Sequence, residues 1–272
     1  MPILGDGVSG FLLHTCPLWL FGGLLVAACM AARELGALLY RYRARKGWSP
    51  PEGKSEADNH INGAVFSLLA FVLGLTFSIA LDRYDARRAL VAEEANAIAA
   101  TYLRAELFDE PARTRLQTTL RDYAHTRIAP NSLWDERMEA QLQRSLTLRA
   151  RLREEARAAV LPVRETDQAS YFLEAVSDVL SAGVRRQLAG KSHIPARIMD
   201  VLLLYMLIAS AALGYLAKGD NSRRPAAAIL MLLFSIIIVL ILDLDRPRTG
   251  AIAVPQQALE QLVKQLDADA AR

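Results

Sequence analysis

Apolar residues gather into four long stretches, Phe11–Ala32, Ile61–Leu81, Ile198–Ala217 and Pro225–Leu242, which together hold a single formal charge, Asp200. A helix rises ~1.5 Å per residue and needs about 20 apolar residues to cross a hydrocarbon core of roughly 30 Å. Each stretch meets that length, so transmembrane helices are predicted at 11–32, 61–81, 198–217 and 225–242. An acid at mid-bilayer costs ~3 kcal/mol, which places Asp200 at the interface. The residues before the first stretch, MPILGDGVSG, carry no Lys or Arg, while Arg33, Arg41, Arg43, Arg45 and Lys46 follow it. That is the reverse of a signal peptide, so a retained span is expected.

The segment between the second and third spans, 82–197, follows a different rule. Prolines at 111, 130, 162 and 195, with Gly183 and Gly190, divide a charged, Ala/Leu/Arg-rich sequence into helix-length pieces. In 82–109, Tyr84, Val91, Ala95, Ile98 and Tyr102 recur at spacings near three and four, a helix with one narrow apolar seam. Leu116, Leu120 and Tyr123 repeat the pattern in 112–128, Trp134, Met138, Leu142 and Leu146 in 133–160, and Phe172, Val176, Val179 and Leu180 in 164–188. No strand-type alternation is present. The predicted fold is an all-α integral membrane protein: four transmembrane helices, a short basic loop at 33–60, and a helical extramembrane domain at 82–197 between the second and third spans. A charged motif and tail occupy 243–272, and Gln256, Gln257 and the helical stretch Ala258–Ala268 are expected to return and cap the insert.

Composition adds exclusions. At 272 residues, 53% hydrophobic and 22% charged, the averages resemble a soluble protein, and only position reveals that two solvents are encoded. They exclude a disordered, collagen-like or disulfide-scaffold chain. The net charge of +3 comes from bases interleaved with acids, so no nucleic-acid partner is expected. Cys16 and Cys29 fit no redox or metal spacing, and His14, His60, His125 and His193 are scattered. Without a phosphate loop, nucleophile elbow or His-Glu-x-x-His, no catalytic, cofactor-binding or metal residue is expected, and the chain is not expected to be an enzyme. Tyr205 and Tyr215 are expected to pack or anchor. Lys and Arg near the spans divide nine to nine between the two membrane faces. Because the first span and short loops dominate orientation, the count leans towards the insert lying outside.

The candidate functional residues lie where the two compositions meet. Asp82, Arg83, Asp85, Arg87 and Arg88 follow the second span, with Glu93 and Asn96 one to two turns on; Asp243, Asp245, Arg246 and Arg248 follow the fourth. An even number of crossings puts both clusters on one membrane face. At ~100° per residue Asp82, Asp85, Glu93 and Asn96 share one helix face, which cannot meet lipid. Three readings stand: an ion-pair network joining Asp82 and Asp85 to Arg246 and Arg248, a charged vestibule through which inorganic ions pass, or an Asp82-x-x-Asp85 site holding Mg²⁺ for a lipid-modifying enzyme. Above the cluster, Gly63, Ser67, Ala70, Gly74 and Ser78 form a stripe of small residues, with Thr76 near its edge, that either packs a helix or lines a pore.

These same residues resemble a known family. Gly63-Ala-Val-Phe-Ser-Leu-Leu-Ala-Phe-Val-Leu-Gly74, Leu81-Asp82-Arg83-Tyr84-Asp85-Ala86-Arg87-Arg88, Glu93-Glu94-Ala95-Asn96 and Asp243-Leu-Asp245-Arg246-Pro247-Arg248-Thr249-Gly250 are similar to the bacterial bestrophin-like membrane proteins. The resemblance implies a multi-pass protein of the bacterial inner membrane related to the bestrophins, which are pentameric anion channels with a cytoplasmic helical domain. The expected function is a homo-oligomeric ion channel or channel-like pore in the lipid bilayer. The alternatives are a non-conducting scaffold or sensor whose insert binds a protein partner, and the metal-dependent enzyme.

Overall fold

The computed structural model describes residues 17–47, 55–128, 136–217, 224–246 and 252–271. These hold eight α-helices: α1 (Leu18–Arg45), α2 (Ser55–Ala105), α3 (Ala112–Arg127), α4 (Glu136–Val160), α5 (Asp167–Lys191), α6 (Ala196–Leu216), α7 (Arg224–Asp245) and α8 (Gln257–Ala270). The fold is all-α, as the apolar pattern predicts, and no strand occurs among the described residues. Among the described residues four helical segments are long and apolar enough to cross a membrane: Leu18–Arg45, Gly63–Ala105, Asp167–Leu216, whose apolar part is α6, and Arg224–Asp245. The chain divides into two compact units, one built from α1, the first part of α2, α6 and α7, the other from the rest of α2 with α3, α4, α5 and α8.

In the membrane-type unit, α1 departs from expectation. Helix continues through 33–45, where a loop is predicted, because Ala, Leu, Glu and Arg are strong helix formers and no proline interrupts them. It stops at Gly47, whose φ of 82° suits only glycine. The start of the predicted first span, 11–16, lies outside the described residues. Arg33, counted from sequence as a loop residue, is buried; its Nη1 donates to Glu34 Oε1 at 2.6 Å, and Glu34 Oε2 accepts from Arg224 at 2.8 Å. That burial follows from a backbone-to-backbone approach of α1 and α6. A Cβ on Gly36 would fall on the Ala211 carbonyl, and one on Gly214 on the Arg33 carbonyl. Small residues permit such contact where no hydrophobic force joins helices. Tyr215 sets its ring edge-on to Tyr40 at 5.7 Å, Tyr205 donates to the Val65 carbonyl at 2.9 Å, and Phe66 stacks on Phe234 at 6.0 Å, so both tyrosines serve packing.

The second unit encloses its own core. Val91, Ala95, Ile98 and Tyr102 of α2 meet Leu116, Leu120 and Tyr123 of α3 and Phe172, Val176 and Val179 of α5, all from the predicted seams. The seam of α4 differs: Leu148, Leu152 and Ala156 are buried, whereas Leu142 is half-buried and Leu146 exposed. Leu146 stands two residues, or ~200° of rotation, from the buried Leu148, so the line through 142 and 146 ends on the side away from the core. Trp134 and the Met138 side chain lie outside the described residues. Helix α8 adds Leu259, Leu262, Val263 and Leu266 to this core, bringing the tail onto the insert.

Gly36→Ala and Gly214→Ala are each expected to lower the melting temperature of the detergent-solubilised protein, with an overpacking cost of about 1–3 kcal/mol or more. Gly23→Ala, in the same α1 but with nothing within 4 Å of the added Cβ, is expected to be neutral or slightly stabilising in the same melt.

Candidate functional site

Helix α2 presents distinct faces because no proline interrupts residues 55–105, so one rotation of ~100° per residue holds throughout. Leu69, Leu73, Thr76 and Ala80 are buried against their own chain. Gly63, Ser67, Ala70, Gly74 and Ser78 are all exposed on another face, and a Cβ on Gly63 or Gly74 would meet nothing within 4 Å. A third face carries exposed bulky residues, Leu68, Phe71, Leu75 and Ile79. Thr76, expected near the small-residue stripe, instead turns inward and donates to the Val72 carbonyl at 2.8 Å. Two residues of separation from Gly74 and Ser78 rotate it by ~200°, onto the opposite side.

Later in α2, Asp82, Asp85, Glu93 and Asn96 are each exposed, as is Arg88. Among the described residues neither Asp82 nor Asp85 makes an ion pair, and no group of three His, Cys, Asp or Glu gathers where a metal could be held. Glu93 pairs with Arg185. Arg87 leaves this set: it is buried, donating from Nε to the Ala189 carbonyl at 3.2 Å and from Nη2 to the Ser192 carbonyl at 2.6 Å. A cation at the C-terminus of α5 satisfies its last carbonyls and its dipole. Arg83 is half-buried and reaches the Ser192 hydroxyl at 3.5 Å.

The second charged motif acts on backbone. Asp245 accepts the Ile194 N–H at 3.0 Å, just before α6 begins, and its carboxylate lies 3.4 Å from His193 Nδ1. Asp243, buried, accepts the Ile252 N–H at 3.0 Å. Two carboxylates at the end of α7 oppose its dipole, and these donors offset the penalty. Burial lowers the pKa of Arg246, opposed by the nearby Asp243 and Asp245. Arg248 lies outside the described residues.

A further cluster, which no sequence motif assembles, lies inside the helical domain. Glu94 is fully buried; Arg127 Nε donates to its Oε1 at 2.6 Å, Arg186 Nη1 to its Oε2 at 2.8 Å, and the Tyr123 hydroxyl to Oε1 at 3.0 Å. Arg186 also donates to the Arg127 carbonyl at 3.1 Å. Gly183 makes room, since a Cβ there would fall on the Tyr123 hydroxyl. The available signal was register: Glu94 stands three residues after Val91 and four before Ile98, an acid placed on the apolar seam. Burial, then the charge of Glu94, raises the Tyr123 pKa above its ordinary value of 10.0.

Glu94→Gln is expected to destabilise the protein by about 3–5 kcal/mol in a denaturant titration, because it leaves buried guanidinium charge without its counter-ion. The raised tyrosine pKa means the folded state holds this proton more tightly than the unfolded one, so its stabilisation is complete below about pH 10 and is lost as pH rises further. Melting curves across that range are expected to fall less steeply with pH for Tyr123→Phe than for the wild type; Tyr102, raised first by burial and then by Asp269, remains in both.

A family model for the bestrophin-like domain matches residues 38–259. No curated protein sequence matches the chain. Among solved structures it is similar to a bacterial bestrophin homologue from Klebsiella pneumoniae: a tryptophan-to-alanine variant at 12% identity and TM-score 0.70, covering 94% of this chain and 99% of that one. A tyrosine-to-alanine variant of that homologue gives 13% identity and TM-score 0.67, with 92% and 98% coverage. At these identities the likeness is one of fold. With the family match extending from α1 into α8, the chain belongs to the bestrophin-like domain family of all-α membrane proteins.

Proposed function

We propose that this protein assembles as a homo-oligomer in the bacterial inner membrane and forms an ion-conducting pore lined by the small-residue face of α2. The observation that carries the reading is the order of faces on that helix. Its own chain covers Leu69, Leu73 and Ala80; the exposed stripe from Gly63 to Ser78 lies beside that face; the bulky exposed residues Phe71, Leu75 and Ile79 lie on the stripe's other side. A helix in a ring needs this sequence: one face for its own bundle, one for a neighbour, and between them a narrow face towards the axis. The stripe runs into Asp82 and Asp85, charged groups that lipid would not accept. Membership of the bestrophin-like family supports the same reading, because bestrophins are channels.

The exposed face after Leu81 carries Asp82 and Asp85 against Arg88. Repeated around an axis it gives an acid-rich ring, which favours cations over anions. The bestrophin resemblance instead implies anions, and a reversal potential in a salt gradient separates the two.

Purified protein in liposomes is expected to carry ion flux. Gly74→Phe or Ser78→Phe is expected to reduce flux to background while the protein keeps its oligomeric size, and Thr76→Val, on the buried face, to leave flux unchanged. Wild-type liposomes silent across salts and potentials would overturn the pore and leave the scaffold reading. Labelling of Ser177→Cys in intact cells reads the side of the insert: labelling from outside follows the basic-residue count, and protection follows the bestrophin resemblance.

A further inference from the structure

A groove of about 470 Å³ runs between α2 and α6, lined by Leu68 and Val72 on one side and Ile198, Val201 and Tyr205 on the other, with Arg197 in the first turn of α6. Its polar inventory is short. The Tyr205 hydroxyl is spent on the Val65 carbonyl at 2.9 Å. Arg197 is exposed and makes no hydrogen bond or ion pair among the described residues, and Asp200, one turn on, is not part of the lining. The groove is therefore an apolar track with one unneutralised cation at the start of α6. From Arg197 to Tyr205 it follows the helix for ~12 Å, most of the ~15 Å of hydrocarbon in one leaflet. Exposed Leu204 and Ile208 extend the apolar surface beyond it.

We propose that this groove is a binding site for one anionic phospholipid, an acyl chain lying along Leu68, Val72 and Val201 and the phosphate pairing with Arg197. A long apolar body with one anion at its end is the chemical complement of this lining. Cations among membrane helices seek an anionic partner or the headgroup layer, and a basic group beside an interhelical crevice offers both. The site is independent of whether the protein conducts.

The full chain in detergent is titrated with phosphatidylglycerol, phosphatidylcholine of matched chains, or inorganic phosphate, and read by melting temperature and native mass spectrometry. Phosphatidylglycerol is expected to raise the melting temperature more than phosphatidylcholine and to remain bound at one per chain, with inorganic phosphate producing no shift. Arg197→Gln is expected to lose about tenfold in phosphatidylglycerol affinity, the scale of one charge-assisted hydrogen bond, and Val201→Trp to weaken both lipids by filling the groove. Equal affinity of the wild type for the two lipids, an unchanged preference in Arg197→Gln, or a phosphate shift as large as the lipid's would overturn the site. A change of oligomeric size on Arg197→Gln without added lipid would assign the groove to a second copy instead.

Discussion

Helix α2 runs for 51 residues without a break, and the remaining elements answer the demands its faces make. A helix turns ~100° per residue, so residue spacing sets which side chains share an angular range: Gly63 to Ser78 in the first unit, Glu93 and Asn96 in the second, all exposed. No loop intervenes to reset which residues point together. The side turned away from that line must supply the packing for both units: Leu69, Leu73 and Ala80 in one, Val91, Ala95 and Ile98 in the other. In each unit the helix thus gives one face to packing and leaves another exposed.

Charges of similar appearance serve different ends once their partners are known. Asp82 and Asp85 remain exposed, while Asp243 and Asp245 hold the backbone N–H groups of Ile252 and Ile194. Arg87 and Arg88 are adjacent in sequence, yet one is buried on the carbonyls that end α5 and the other is exposed. Carboxylates and guanidinium groups spent on backbone fix where helices begin and end; only the remainder is free to meet ions or partners.

The helical domain places a carboxylate where its sequence pattern asks for a hydrophobe. Desolvating Glu94 is costly, and Arg127, Arg186 and Tyr123 together offset that cost with hydrogen bonds to both oxygens. Such a cluster adds little net stability compared with an apolar core, but it penalises any packing of α3 or α5 that leaves one member unpaired. The bond from Arg186 to the Arg127 carbonyl ties the same residues to the end of α3.

The four spans, the helical insert and most of its seams were legible from sequence, because hydrophobic length and a period near 3.6 are local properties. The common angular range expected for Asp82, Asp85, Glu93 and Asn96 is likewise a matter of helical rotation alone. What the chain could not announce was which side of a helix another element would cover. The burial of Arg33 behind Gly36 and Gly214 and the capture of the Ile194 N–H by Asp245 depend on partners distant in sequence. Local sequence sets the angles at which side chains leave a helix; tertiary packing alone decides which of those angles meet another backbone and which stay open.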